Sequence, residues 1–248
     1  MMHLMKSRAV ATVALLALGA CVSSSASTTA GTSASPAPSA GSTMGGMAMA
    51  GDWKPLIDPT MSQWRAYKSD AMPASWHVAD GVLSKSSGVE DLVTRDQYGD
   101  FELTWDWMLS KGGNAGVFYR TSEEYDHVYW SGPEYQLLDD ANHPDGRNPL
   151  TSAGAAYAVY PPPRGVVKPA GEWNSSRIVA KGNHVEHWLN GQKVVEYDLM
   201  SPDWEARVKA SKFVDWPHYG RAPRGMLAIQ GDHDGMLSIR NMQVRELK

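Results

Sequence analysis

Between residues 101 and 109 the chain alternates apolar and polar positions. Phe101, Leu103, Trp105 and Trp107 fall on one face, with Glu102, Thr104 and Asp106 on the other. A period of two is the signature of a half-buried strand. The pattern returns at 134–138, where Glu134, Gln136 and Leu138 share one face and Pro133, Tyr135 and Leu137 the other. Val117–Arg120 reads as a further short strand after a Gly-rich bend. Segments 176–181 and 184–189 flank Gly182-Asn183, and Asn190-Gly191 joins 184–189 to Lys193–Tyr197, which predicts two hairpins in succession. Asp80-Gly81 marks another inside Trp76-His77-Val78-Ala79-Asp80-Gly81-Val82-Leu83. Residues 225–230 and 236–247 supply closing strands, and 202–212 is the one stretch that predicts a short helix. Repeated short strands with turn signals predict an all-β sandwich or jelly roll.

The first fifty residues follow none of these patterns. Lys6 and Arg8 precede a short apolar run, Val10–Leu18, which ends in Leu18-Gly19-Ala20-Cys21. This predicts a signal peptide over 1–20, and its end resembles a bacterial lipobox with Cys21 as the lipidated residue. Val22 is not the aspartate that retains such lipoproteins at the inner membrane. An exported protein anchored in the outer membrane and facing the periplasm is therefore expected in a Gram-negative host. Residues 21–51 are dominated by Ser, Ala, Thr and Gly and read as a flexible linker. The folded part is predicted as one domain over 52–248, which holds all ten Trp and all ten Tyr.

Charge narrows the function classes. The net charge is −4 with no basic patch, so nucleic acid is not an expected partner. No second apolar run is long enough to span a bilayer, which leaves the lipid as the only membrane contact. Cys21 is the only cysteine, so no internal disulfide forms.

Six motifs in order add a family. They are Gly-Asn-Ala-Gly-Val-Phe-Tyr-Arg (113–120), Gly-Pro-Glu-Tyr-Gln-Leu-Leu-Asp (132–139), Gly-Glu-Trp-Asn (171–174), Val-Glu-His-Trp-Leu-Asn-Gly (185–191), Ile-Gln-Gly-Asp-His (229–233) and Ile-Arg-Asn-Met (239–242). Together they resemble the 3-keto-disaccharide hydrolase family, also described as 3-keto-glucoside 1,2-lyase and 3-keto-2-hydroxy-glucal hydratase. The resemblance covers 53–248 and implies a concanavalin-like two-sheet jelly roll. It also implies an exported lipoprotein enzyme that cleaves 3-keto-glycosides. Removal of the acidic C2 proton expels the C1 group, with or without later hydration. A dehydrogenase that oxidises C3 would act upstream. The alternative is a non-catalytic glycan-binding module on the same fold. An ordinary retaining glycosidase of the related sandwiches is disfavoured, because Glu196-Tyr197-Asp198-Leu199-Met200-Ser201 lacks a third carboxylate.

Such chemistry needs a base near C2, a group to hold the enolate oxygen and an acid near the leaving oxygen. Glu134 and Gln136 match the family's Tyr-Glu-x-Gln pattern as Pro133-Glu134-Tyr135-Gln136, although polar-out alternation alone would make the same face. His187 titrates near neutrality and is a candidate base. Period two leaves open whether His187 or Glu186 faces the cleft. Lys212 resembles a family position that would steady an enolate or protonate the leaving group. Arg120 offers a rigid fork of donors for hydroxyls or the enolate, with a surface ion pair as the alternative. Trp173, Asn174 and Gln230 complete the expected substrate contacts, and Trp130, Trp188 and Tyr157 could stack on sugar rings. No cofactor is fixed by the sequence. The acidic loop Asp139, Asp140, Asn142, His143 and Asp145 could bind a divalent metal through oxygens, but lacks EF-hand spacing. Asp232, His233 and Asp234 raise the same question. The family's shorter Leu-Gln-x-His-Gly form is expanded here to Gly231-Asp232-His233-Asp234-Gly235, which loosens the carry-over onto His233.

Overall fold

The computed structural model describes residues 52–248. The expected signal peptide, Cys21 and the linker lie outside the described residues. Thirteen strands follow in chain order: β1 (Lys54–Pro55), β2 (Trp64–Ala66), β3 (His77–Ala79), β4 (Val82–Lys85), β5 (Leu92–Thr94), β6 (Phe101–Leu109), β7 (Asn114–Thr121), β8 (Glu134–Leu138), β9 (Asn174–Lys181), β10 (His184–Leu189), β11 (Gln192–Asp198), β12 (Met226–Ile229) and β13 (Leu237–Glu246). One helix, α1 (Pro202–Lys209), lies between β11 and β12.

The strands form two antiparallel sheets. One has eight strands in the order β11-β10-β9-β6-β13-β4-β3, with β1 also paired to β13. The other has five, in the order β2-β5-β12-β7-β8. The architecture is a two-sheet jelly roll, as the strand pattern and the family resemblance imply. The predicted strands at 101–109 and 134–138 carry their predicted bounds. The helix stops at Lys209, and Ser211 then caps a separate 3-10 turn over Lys212–Asp215. The short strands β1, β2 and β5 carry no long alternation, and turn-and-strand reasoning passes over them.

The core lies between the sheets. Phe101, Leu103, Trp105 and Trp107 of β6 are buried, as are Val117 and Tyr119 of β7 and Tyr135 and Leu137 of β8. Each large apolar side chain so buried contributes on the order of 2 kcal/mol. A buried chain of hydrogen bonds ties β8 to the facing sheet. Trp107 Nε1 donates to Ser176 Oγ (2.8 Å), Ser176 Oγ donates to Tyr135 Oη (2.8 Å), and Tyr135 Oη donates to the Trp188 carbonyl (3.0 Å). Tyr135 is thus fixed on the core side of β8. The alternate residues Glu134 and Gln136 must then face the other way.

Candidate active site

On that other face, β8, β7 and the end of β12 line up polar groups around a gap. Gly116 of β7 pairs with Gln136 of β8, and Gln230 donates its backbone N–H to the Gly116 carbonyl (2.9 Å). The glycine is required by the carboxylate beside it. A Cβ at position 116 would sit 2.9 Å from Glu134 Cδ and closer still to its oxygen, so any side chain there would displace Glu134. Around this gap lies a cavity of about 210 Å³ lined by Asn114, Tyr129, Glu134, Gln136, Asp145, Tyr157, Lys212, Gln230, Asp232 and His233.

The cavity holds polar groups that the protein leaves unpartnered. Asn114 Oδ1, Gln136 Oε1 and Gln230 Oε1 are buried without a hydrogen-bond partner. Buried polar atoms are ordinarily satisfied, so three orphan amide groups on one cavity call for a ligand that donates to them. Glu134 is 5% exposed. Burial pushes its carboxyl up to about 8, opposed by the Lys212 charge and reinforced by Asp232, Asp91 and Asp145. Lys212 reaches the cavity from the 3-10 turn, with Nζ 4.3 Å over the Tyr157 ring and 5.6 Å over that of Tyr129. Tyr157 in turn donates to Asp145 Oδ2 (3.3 Å). His233 Nε2 lies 3.3 Å from Asn114 Nδ2. Burial holds the His233 imidazole below its usual range, against the opposing pull of Asp232 and with help from Lys85 and His143. The site therefore presents one proton acceptor held near neutrality, one cation beside it, an imidazole, and a wall of hydrogen-bond acceptors.

Among the residues expected from sequence, Glu134, Gln136, Lys212 and Gln230 meet in this cavity, and His187, Arg120, Trp173 and Asn174 do not. His187 is fully buried between the sheets. Its Nδ1 lies 3.1 Å from the Gly154 carbonyl, which can only accept, so Nδ1 carries the proton and Nε2 accepts from Tyr119 Oη at 3.0 Å. Burial lowers the imidazole to about 4, leaving a neutral core residue in place of the expected base. Arg120 is buried with φ of 52°, and its guanidinium donates to the carbonyls of Gly99 (3.0 Å) and Gly182 (2.8 Å), tying two turns together. Asn174 Oδ1 accepts from Lys168 N and Asn190 Nδ2, both at 2.8 Å, and so pins a loop to a hairpin. The Trp173 ring is covered by Arg240 at 4.0 Å. Trp188 lies under Arg177 at 4.8 Å, and Trp130 stacks on Trp216 at 4.0 Å.

The acidic loop is largely engaged by backbone amides of neighbouring segments. Asp139 Oδ2 accepts from Gly112 N (2.8 Å) and Asp140 Oδ1 from Ala153 N (2.8 Å); Asp145 alone of its carboxylates lines the cavity. Among the described residues, the set of three His and carboxylate groups with ligand atoms within 4.8 Å of one another is His184, Glu186 and Glu196. It lies on the eight-stranded sheet, where Lys193 Nζ already stands 3.2 Å from Glu186 and 2.7 Å from Glu196. Asn114 and Tyr129 are cavity residues that sequence reasoning passed over. Asn114 could have been found, because it shares a face of β7 with Gly116 and is polar on an otherwise buried strand.

Comparison with known proteins gives this arrangement a context. The family model described as a 3-keto-alpha-glucoside-1,2-lyase-like domain matches residues 52–245. The chain belongs to this family. A Bacteroides thetaiotaomicron protein named 3-keto-disaccharide hydrolase is 34% identical over 220 residues, 76% of each chain. A crystal structure of a candidate glycosyl hydrolase from Parabacteroides distasonis is 33% identical, with a TM-score of 0.74 over 79% of this chain and 94% of that one. A second from the same organism is 29% identical, with a TM-score of 0.65 over 79% of this chain and all of its own. The Glu134 cavity thus lies within the segment that the 3-keto-alpha-glucoside-1,2-lyase-like family model matches.

Proposed function

We propose that this protein is a carbohydrate-cleaving enzyme that acts on 3-keto-glycosides by elimination, with Glu134 as the base. The observation that carries this reading is the Glu134 carboxyl itself. It is buried, held near 8, and faces a cavity with no protein group hydrogen-bonded to it among the described residues. A catalytic base works best with a pKa near the operating pH. An isolated carboxyl of this kind would otherwise be a cost to the fold. Family membership and the name of the Bacteroides relative support the substrate class.

The walls distribute the roles. A ketone oxygen can only accept, so it must face a donor, and Lys212 supplies one. Sugar hydroxyls donate to Asn114, Gln136 and Gln230, whose oxygens have no other partner. Glu134 takes the C2 proton and the electron pair moves toward the ketone oxygen, where the Lys212 charge stabilises the enolate. The pair returns to form the C1–C2 double bond as the C1–O bond breaks. A proton must reach the departing oxygen: Glu134, which holds the C2 proton after the first step, can return it, and the neutral His233, with Nε2 accepting from Asn114, has its Nδ1–H left to hydrogen-bond that oxygen. Water added back across the double bond would complete a net hydrolysis. The substrate has to arrive already oxidised at C3, so a dehydrogenase acts upstream. The lipobox reading of Cys21 would place these steps outside the cytoplasm, at a membrane surface.

The test is product analysis with a 3-keto-glucoside and its unoxidised parent in D₂O. Release of the aglycone from the keto sugar alone, with the original C2 hydrogen lost to solvent and both events absent in Glu134→Gln, is the expected result. Equal cleavage of both sugars would sink the elimination. Binding without cleavage would leave a glycan-binding module.

A further inference from the structure

We infer that Lys85 is a positioning residue for the loop that carries Asp232 and His233 into the cavity. This inference rests on the proposed use of that cavity. Lys85 ends β4 on the face that packs into the core and is 2% exposed. Lysine is rarely buried without a partner. Here Nζ donates to three carbonyls, those of His233 (2.5 Å), Gly235 (3.3 Å) and Ser87 (3.3 Å). Three donors meet three acceptors, and no carboxylate touches the ammonium. Two of the carbonyls belong to the Gly231–Gly235 loop and the third to the segment packed against it. An apolar side chain would fill this core position as well, opposite Leu237 on β13. What it would lack is the means to hold those carbonyls.

A half-buried carboxylate grips the other end of the same loop. The carboxylate of Asp91 accepts from Gly231 N at 2.7 Å. Between these anchors the loop is held against the segment 88–90. Val89 N donates to the Gly231 carbonyl (2.9 Å), and Gly88 N to Asp234 Oδ1 (3.2 Å). A Cβ at Gly88 would lie 2.9 Å from the Asp232 carbonyl, and one at Gly231 2.8 Å from that of Val89. A Gly-Asp-His-Asp-Gly sequence is intrinsically pliant. A half-buried carboxylate at one end and a buried ammonium at the other convert it into a fixed mount, with a backbone N–H on the anion and carbonyls on the cation. The arrangement also sets the field at His233, whose imidazole is faced by Asp232, Asp145, Lys85 and His143, with Asn114 in contact.

The test uses the full-length protein carrying Lys85→Met, which keeps the length of the side chain and removes the charge. Hydrogen exchange over 231–235 is expected to rise about tenfold while the strands stay protected. The His233 imidazole, followed by NMR, is expected to titrate closer to its ordinary value. On a 3-keto-glucoside, kcat is expected to fall about 100-fold with KM held within about threefold. Unchanged loop exchange, or a freed loop with kcat within about threefold of the parent, would overturn the assignment. If Lys85→Met does not fold, Lys85→Arg replaces it. The guanidinium is expected to keep the loop protected and to retain a tenth or more of kcat, roughly. A folded Lys85→Arg protein with an unprotected loop also overturns it. Exchange and the His233 titration need no substrate, so a failure of the keto-sugar chemistry would show itself separately from a failure of the mount.

Discussion

Two glutamates on two strands show how the same side chain acquires opposite characters. Glu186 of β10 stands on the eight-stranded sheet, where Trp188 Nε1 donates to it at 2.7 Å and Lys193 Nζ at 3.2 Å. Burial alone would raise its carboxyl, but these hydrogen bonds and the Lys193 charge outweigh it and hold it below the usual range. Glu134 of β8 stands on the five-stranded sheet over a glycine, with only the more distant charge of Lys212 to offset its burial, and it rises to about 8. The neighbourhood of Glu186 is closed: each charge there has a protein partner. That of Glu134 is left open, with three amide oxygens also unpartnered. The difference teaches that a site is marked here by what the protein declines to satisfy. A polar residue on a strand face is uninformative until its partners are known.

The largest expected break in this comparison comes from exchanging each glutamate for its amide. Glu134→Gln should lower kcat/KM on a 3-keto-glucoside by about 10³-fold, within the range for a lost general base. Glu186→Gln should leave it within about twofold, since that position touches no cavity group. Comparable losses in both proteins, in parallel steady-state assays, would erase the distinction. Lys212→Met should follow, with a loss of about 10²-fold if Lys212 holds the developing enolate. It also sharpens the electrostatics. With Glu134 near 8, kcat/KM should rise with pH and level off above about 8, because the base acts only when ionised. The Lys212 charge opposes the rise of the Glu134 carboxyl, so its removal must move that limb to higher pH. A limb that stays in place in the pH–rate profile would detach Glu134 from it.

Gly116→Ala is the smaller steric version of the same experiment. The added methyl displaces the Glu134 carboxylate without altering its chemistry, and a shift of that size should lower kcat about 10- to 100-fold. Full activity in Gly116→Ala, with the fold checked by circular dichroism, would mean that the carboxylate has freedom the packing denies.

Strand alternation made β6, β8 and the β9–β10–β11 hairpins legible from sequence, because one face of each is core and the other is not. It also placed Glu134 and Gln136 together correctly. It could not choose between His187 and Glu186, since a period of two defines two faces without saying which is buried. In the structure neither lies at the cavity: His187 is in the core and Glu186 is ion-paired outside it. Arg120 and Asn174 misled for a different reason. Both sit in family motifs, and their side chains hold turns through backbone carbonyls and amides, a role that motif order does not separate from ligand contact. Lys85 carried no signal at all. A lysine at the end of a strand reads as solvated until the loop from 148 residues downstream closes over it.

His187 gives the weakest expected effect on catalysis and so the finest control on the comparison. Its imidazole lies near 4 in the folded protein, below the ordinary 6.5, because burial penalises the charged form. The unfolded chain therefore binds the proton more tightly. Stability from this residue is fully present above about 6.5 and is lost as pH falls toward 4, by up to about 3 kcal/mol. Glutamine can keep both contacts, donating to Gly154 and accepting from Tyr119, but it does not titrate. His187→Gln should thus flatten the acid side of a stability curve measured by urea unfolding between pH 4 and 7. The same substitution should leave kcat/KM and its pH limb within about twofold of the parent, as a histidine sealed in the core has no path to the substrate. A lost or displaced limb in His187→Gln would return this histidine to the reaction and would move the proton transfer away from Glu134.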